Sequence, residues 1–398
     1  MKILYFSWGE NSCEDAISTF ISMGHTVSRM RAILQNYLHQ PAVSAALEKE
    51  FHKTNYDIVF SFNYIPVISQ VAQANHVKYV SWVYDCPNWT LYSPTLQNEY
   101  NYIFLFDRNM AQTASALGAK HAFHLPLACN TKRIAKQLHF TENITPAHYD
   151  NDISFVGSLY ERNHYNRIHF LPPNLRGYLE GMMVAQKKLW GCNLIAELLL
   201  PDKVAKLRSY LKLETDPDCP IPHCNLFQAI LLTKITSDER IQFLNELAKS
   251  YQVALYSNSN TSLCPDVDDK GTVSYTKQMP KVFYRSKINL NITLRSIVSG
   301  IPLRALDIMG CAGFLLTNYQ PELAEYFEPG RDFIYYDSME DLVQKAGYYL
   351  SHDEEREAIA KSGYQQVQRL FSYETQLTKM FNFMRLSDKP EQKPVPPT

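Results

Sequence analysis

Two residues three positions apart, Arg304 and Asp307, carry charges of the kind needed to hold a phosphorylated, hydroxylated ligand. They follow Ser299, Gly300, Ile301, Pro302 and Leu303 at the end of an apolar run that reaches Ile292. Proline suits the first turn of a helix, where its missing N–H is no loss. The amides left unpaired at such a helix start, with the dipole behind them, bind phosphate. Spacing of three places Arg304 and Asp307 on one helical face. An arginine there can meet a diphosphate and an aspartate can meet ribose hydroxyls. The same two residues can equally form an ordinary surface ion pair. The short helix, a following strand at 314–317 and Asn318 favour the ligand reading.

Ligands of open parallel sheets collect beyond the carboxyl ends of the strands. In the first half that rule selects Gly9-Glu10-Asn11, Asn63-Tyr64 and Asp85-Cys86-Pro87-Asn88. In the second half it selects Gly157 to Arg162, Ser257-Asn258 and the stretch after Ile292. Asp85 is the first choice for taking a proton from an acceptor hydroxyl, although aspartate beside proline also builds turns. Asn63 and Trp89 are acceptor-side candidates, Trp89 by stacking on a sugar or by packing alone. Arg162, soon after Gly157, is a second cation for a diphosphate or else a solvated loop arginine. Arg295 is a third. Cys219, His223 and Cys224 cluster, but prolines stiffen the loop and no second ligand pair follows at zinc spacing, so no metal is expected.

The elements that would position these residues alternate along the chain as βαβ units do, which predicts parallel sheets. Strands are expected at 2–7, 57–62, 77–84, 102–106 and 121–125. Helices are expected at 14–23 and 109–117, stopped by Gly24 and Gly118. Residues 1–150 then form one doubly wound domain, with polar 141–150 as linker. A second domain over 151–385 opens with a strand at 152–156 and continues with strands at 253–256, 287–292 and 314–317. Thr236-Ser237-Asp238-Glu239 reads as a capping box opening a helix, and further helices are expected at 353–370 and 373–384. Residues 164–235, irregular and containing several prolines, read as a mostly helical insertion. Residues 386–398 read as a disordered tail.

The 398 residues, 45% of them hydrophobic, suffice for two packed domains. A net charge of −1 without a basic run argues against nucleic acid as partner. No apolar stretch approaches the roughly 18 residues of a spanning helix. The opening residues meet polar Gly9-Glu10-Asn11 too soon for a leader's apolar region. Eight scattered cysteines are expected as free thiols. A cytoplasmic protein is the expectation.

The stretch from Gly300 to Gly313, with Pro321-Glu322-Leu323-Ala324-Glu325-Tyr326-Phe327-Glu328-Pro329-Gly330, resembles the C-terminal domain of group 1 glycosyltransferases. It resembles above all the branch typified by the spore maturation protein CgeB. Residues 60–63, 82–87 and 155–160 resemble the same branch, and the likeness covers most of the chain apart from the tail and, less securely, the insertion. It implies an α/β chain of GT-B architecture, with two Rossmann-like doubly wound domains facing an inter-domain cleft. The first would serve the acceptor and the second the nucleotide sugar. Asp307 falls where the wider family usually has a glutamate holding the ribose. Ser299 stands eight positions earlier, where the family has its first glutamate. Glu322 matches an acid near the donor, though an acid in a first turn also simply satisfies the dipole.

The expected donor site is therefore Gly157, Arg162, Arg295, Ser299, Gly300, Arg304, Asp307 and Glu322, with Asp85 catalytic and Asn63 and Trp89 toward the acceptor. The implied reaction moves a hexose or N-acetylhexosamine from a nucleotide-diphosphate sugar, by resemblance a UDP-sugar, to a hydroxyl of a protein or glycan. No cofactor or metal is called for, since fixed amides and a cation can stabilise the departing diphosphate. Two rivals stay open: a degenerate scaffold that binds without catalysis, which Ser299 favours, and a sugar-nucleotide epimerase, which would convert the donor without any acceptor.

Overall fold

The computed structural model describes residues 1–142, 144–168 and 170–387, which form two compact units. Among the described residues the first comprises 1–84, 90–126 and 373–387. Its strands are β1 (Lys2–Ser7), β2 (Thr26–Arg31), β3 (Ile58–Phe62), β4 (Lys78–Val83), β5 (Asn101–Leu105) and β6 (Ala122–His124). They lie in the order β2-β1-β3-β4-β5-β6, and every pairing is parallel. All five residues of β3 are buried, as a strand covered on both faces requires. Edge strand β2, Thr-Val-Ser-Arg-Met-Arg, is half open to solvent; its charged alternation reads as surface, so sequence reasoning omits it. Gly24 and Gly118 stop their helices in the left-handed region, with φ of 83° and 97°.

The helix Tyr373–Ser387 belongs to this first unit, not to a C-terminal domain ending at 385. Aromatic packing explains the return. Tyr373 meets Trp82 edge-on, Phe381 packs on Phe20 and His25, and Phe383 stacks on Phe123. Leu386 and Ser387, expected in the tail, complete this helix; the rest of the expected tail, 388–398, lies outside the described residues.

The second unit comprises residues 85–89 and 127–372, so the division falls at 126/127 rather than 150. Tyr149 bonds Glu357 and the Asp150 amide bonds the Arg285 carbonyl, which ties the expected linker into this unit. Its strands are β7 (Asn151–Val156), β8 (Val253–Tyr256), β9 (Asp268–Gly271), β10 (Ser286–Asn291), β11 (Leu315–Asn318) and β12 (Ile334–Tyr336). The order β12-β11-β10-β7-β8-β9 is parallel throughout. Strand order reverses between β7 and β10, the switch point where doubly wound sheets bind ligands.

The insertion is helical, with helices Pro173–Lys187, Leu194–Leu198 and Pro201–Tyr210. It has its own apolar core, including Leu179, Ile195, Leu207, Phe227 and Leu231. One expectation fails here. No helix starts at Thr236; a single helix of 26 residues runs from His223 to Ala248, with Pro222 at its N-cap. Leu231, Leu232 and Ile235 fill the insertion core and keep the preceding turns helical. Thr236 sits mid-helix, its hydroxyl donating to the Leu232 carbonyl at 2.9 Å.

The helix Leu303–Gly310, which carries Arg304 and Asp307, packs against the helix Asp353–Leu370. A Cβ on Gly363 would lie 2.4 Å from the Asp332 carbonyl oxygen and 3.2 Å from Met309 Sδ. In an open helix, glycine to alanine gains up to about 1 kcal/mol. Gly363→Ala is expected instead to cost about 1–3 kcal/mol through overpacking. A lower urea midpoint with unchanged slope is the confirming measurement; a midpoint that rises would show the contact to be slack.

Candidate functional site

β10 ends at Asn291, whose side-chain amide donates to Thr317 and Thr293 hydroxyls. The Thr293 amide donates to Asn318 Oδ1 at 2.8 Å. These bonds fix the direction in which the chain leaves the sheet. Cys86 Sγ then donates to the Ser296 carbonyl at 3.0 Å, and Ser296 Oγ donates to the Cys86 carbonyl at 2.7 Å. This reciprocal pair fastens residues 85–89 to the loop after β10. Exposed Asp85 is the neighbour of Cys86 and follows the carboxyl end of β4.

Further along, Ser299 Oγ donates to Glu322 Oε1 at 2.6 Å, and the Glu322 amide donates to the Ser299 carbonyl at 3.1 Å. Glu322 is fully buried, in the first turn of the helix Pro321–Tyr326. Gln320 Nε2 donates to the Gly300 carbonyl. Gly300, Ile301 and Pro302 are buried, and helix Leu303–Gly310 begins beyond them with Arg304 partly exposed. Arg304 Nη1 stands 3.2 Å from Asp307 Oδ2, so the pair shares a face as its spacing requires. The Tyr275 hydroxyl donates to Asp307 Oδ1 at 2.9 Å. Tyr275, in the loop after β9, carries no sequence signal; only the fold brings it to Asp307.

Arg295 does not fit the role expected of it. Its guanidinium makes a two-pronged pair with Glu239, both side chains 3% exposed. Its remaining N–H groups donate to the carbonyls of Leu189, Gln186 and Lys187, and the Trp190 ring lies 3.2 Å from the guanidinium carbon. Five donors is the full complement of a guanidinium. Arg295 therefore clamps the end of the helix Pro173–Lys187 to the long helix and has no donor left for a diphosphate.

A neighbouring arginine, missed in the sequence, lies at the switch point. Arg240 Nη1 donates to the Ser158 carbonyl beyond β7 at 2.6 Å, and Nε and Nη2 donate to the Ile292 carbonyl beyond β10 at 3.2 and 2.6 Å. It is 8% exposed and makes no ion pair among the described residues. Burial pushes its pKa below the usual arginine value, and the charge of Arg304 pushes the same way. A buried cation without a carboxylate leaves a local positive field, which favours an anion. The signal was a charge inside an apolar stripe, with Thr236, Leu244 and Leu247 one or two turns away.

Gly157 turns the chain out of β7, its amide donating to the Tyr256 carbonyl; a Cβ there would stand 3.5 Å from Arg240 Nη1. Arg162 is 83% exposed, 3.7 Å from Glu161, and lines with Trp89 a cavity of about 530 Å3. Asn63, in the first unit, is buried with φ of 58°, and its Oδ1 accepts the Tyr84 amide at 3.1 Å. Its side chain thus shapes the exit of β4. Cys219, His223 and Cys224 are directed at the Trp89 carbonyl, the Leu213 carbonyl and Asn225 Oδ1.

Residues 240–382 match the family model described as glycosyl transferase-like. The chain is similar in structure to HepE of Anabaena in complex with UDP-glucose: TM-score 0.56, 11% identity, over 97% of this chain and 100% of that one. Sucrose-phosphate synthase of Thermosynechococcus elongatus gives a TM-score of 0.52 at 11% identity, over 97% and 98% of the two chains. The fold is GT-B. A glycosyltransferase from Rickettsia africae gives 0.50 at 11% identity over 98% and 99%. Comparison with curated protein sequences gives no match. Within the GT-B frame the matched segment starts at Arg240 and contains Ser299 to Asp307 and Glu322, while the insertion lies outside it. Among the described residues no helix is long and apolar enough to cross a membrane.

The clamp role of Arg295 makes a prediction. Arg295→Ala leaves Glu239 buried without its partner and should destabilise the fold by about 3–5 kcal/mol. A thermal melt reads this directly; an unchanged melting temperature would return Arg295 to the list of ligand contacts.

Proposed function

We propose that this chain is a glycosyltransferase of the CgeB-like branch, acting in the cytoplasm without a metal or cofactor. It moves a hexose or N-acetylhexosamine from a UDP-sugar to a hydroxyl acceptor in a protein or glycan. The observation that carries the reading is the Cys86–Ser296 pair, which joins the segment holding Asp85 to the loop that leads into helix Leu303–Gly310. A candidate base and a candidate phosphate site thereby share one loop system. The glycosyl transferase-like match over 240–382 supports the reaction class, and the UDP-glucose complex of HepE supports a uridine donor.

In this reading Asp85 takes the proton of the acceptor hydroxyl, whose oxygen bonds to the anomeric carbon as the bond to the diphosphate breaks. Arg304, the amides opening its helix and the field of Arg240 meet the charge that develops on the leaving group. Such groups need no reorientation during the reaction, which is what makes them effective. Asp307, already oriented by Tyr275 and Arg304, takes the ribose. Glu322 brings a carboxylate to Ser299 and so supplies, from the next helix, the acid that position 299 lacks.

Ser299 also favours a second reading, a binding protein that has lost catalysis, and product analysis separates the two. Incubation with UDP-sugars and cell extract should release UDP and yield a glycosylated product. UDP binding without product would favour the scaffold, and conversion of the sugar with no acceptor would favour an epimerase. Arg304→Ala should raise the UDP dissociation constant about tenfold or more, roughly 1.4 kcal/mol, with the melting temperature nearly unchanged. An unaltered dissociation constant would remove Arg304 from the site. Asp85→Asn should keep UDP binding and lower turnover by about 10²–10⁴-fold; normal turnover would exclude Asp85 as the base.

A further inference from the structure

Arg240 differs from Arg295 in what its guanidinium leaves unused. Of the five N–H groups, three are engaged: Nε and one N–H of Nη2 on the Ile292 carbonyl, and one N–H of Nη1 on that of Ser158. One N–H on each terminal nitrogen has no acceptor among the described residues, although the residue is only 8% exposed. Buried donors on a charged group are costly to leave unpaired. Terminal N–H groups of this kind are what arginine uses to hold phosphate oxygens. Aromatic rings lie near the guanidinium instead, Phe155 at 5.3 Å and Tyr160 at 4.9 Å from its carbon. Phe155 is buried in β7, whereas Tyr160 is half-buried and lines the cavity of about 530 Å3.

Among the described residues Arg240 is not part of that lining, but Ser158 and Tyr160 are, and both touch it. Ser158 does so through its carbonyl, so the Tyr160 ring is the side chain that separates cavity from cation. Tyr160 has φ of 53°, a left-handed conformation costly for a bulky residue. Its backbone is pinned there: the amide donates to Ser158 Oγ at 3.1 Å, and Asn163 Nδ2 donates to the carbonyl at 2.9 Å. The phenol has no such anchor, since its hydroxyl makes no hydrogen bond among the described residues. The ring is thus free to turn about its own torsions while the loop stays in place. Beside it, Gly157 leaves space at Nη1, from which a Cβ would stand 3.5 Å.

We infer that Arg240 is a direct phosphate ligand and that Tyr160 is its screen. The ring lies over the guanidinium in the empty chain and turns aside when a phosphate enters the cavity, whose oxygens then take the two unused N–H groups. The inference rests on the glycosyltransferase reading for calling that phosphate the donor's diphosphate, and on the geometry of 157–160 and 240 for the contact itself. The exchange is favourable in direction. An aromatic face offers a cation only its quadrupole. A phosphate offers a full opposite charge and acceptors for N–H groups that the ring leaves unpaired. The bonds to Ser158 and Ile292 use other N–H groups and stay intact throughout.

The experiment is calorimetric titration of the full chain with inorganic pyrophosphate and with UDP. Tyr160→Gly removes the ring and accepts the left-handed backbone at no cost. It should bind pyrophosphate about fivefold or more tightly than wild type, and UDP by a similar factor. Tyr160→Asn, which also tolerates that backbone, should do the same and decides where the glycine variant fails to fold. Arg240→Gln keeps a neutral donor for the carbonyls, and in that background the gain should vanish. Unchanged or weaker pyrophosphate binding by the Tyr160 variants, or a gain that survives Arg240→Gln, would overturn the inference. Weaker UDP binding would overturn it too, by making the ring a ligand contact. Tighter pyrophosphate binding without affinity for UDP in any form would uphold the screen and refute the glycosyltransferase reading. Sugar transfer with pyrophosphate binding unmoved would do the reverse.

Discussion

At the switch point of the second unit a single guanidinium bonds two carbonyls that lie just beyond different strands. Arg240 holds Ser158 and Ile292 at the point where strand order reverses. At such a point the loops leaving two adjacent strands diverge to opposite faces of the sheet, and a crevice opens between them. The carbonyls exposed by that divergence need donors. A neutral donor would satisfy them; a guanidinium satisfies them and brings a charge that makes no ion pair among the described residues. Structural repair and anion affinity thus come from the same group.

The adjacent residue in the chain does the reverse. Glu239 faces Arg295 in a fully desolvated pair that anchors the insertion. Two opposite charges, one residue apart on one helix, point at different neighbours and are used differently. The first is cancelled and serves packing, while the second is left standing and serves the crevice. Burying the pair is not itself a source of stability, but it directs the Glu239 carboxylate to Arg295 rather than into an ion pair with Arg240. The Arg304–Asp307 pair has its own carboxylate already oriented by Tyr275.

Much of the architecture was legible in the sequence because buried parallel strands carry runs of large apolar residues: β1, β3 and β4 announce themselves by near-continuous runs, and β7 and β10 by the apolar residues spaced along them. The charged strand β9, Asp-Asp-Lys-Gly, and the edge strand β2 do not, since an edge needs no apolar face. Thr236 to Glu239 misled because a capping box and a mid-helix polar turn have the same letters, and only the apolar residues before it decide. At the site, the shared face of Arg304 and Asp307 follows from spacing alone. The fate of Arg295 does not: position after a strand says that a side chain is near the crevice, but its partners come from 186–190 and 239, far away in sequence. The pairing of Ser299 with Glu322 was beyond reach for the same reason, and so was the return of the last helix to the first unit.

One consequence follows from the unbroken helix His223–Ala248. Its first half is a wall of the insertion and its second half a member of the sheet unit, and ten residues at 1.5 Å each set Ile230 and Arg240 about 15 Å apart on one stiff rod. The insertion is therefore not a loop hung on a finished scaffold. Excising residues 164–235 to obtain a minimal domain would cut this rod in the middle and remove Phe227, Leu231 and Leu232 with it. Swapping the insertion between related chains would have to carry the whole rod, and Arg240 with it.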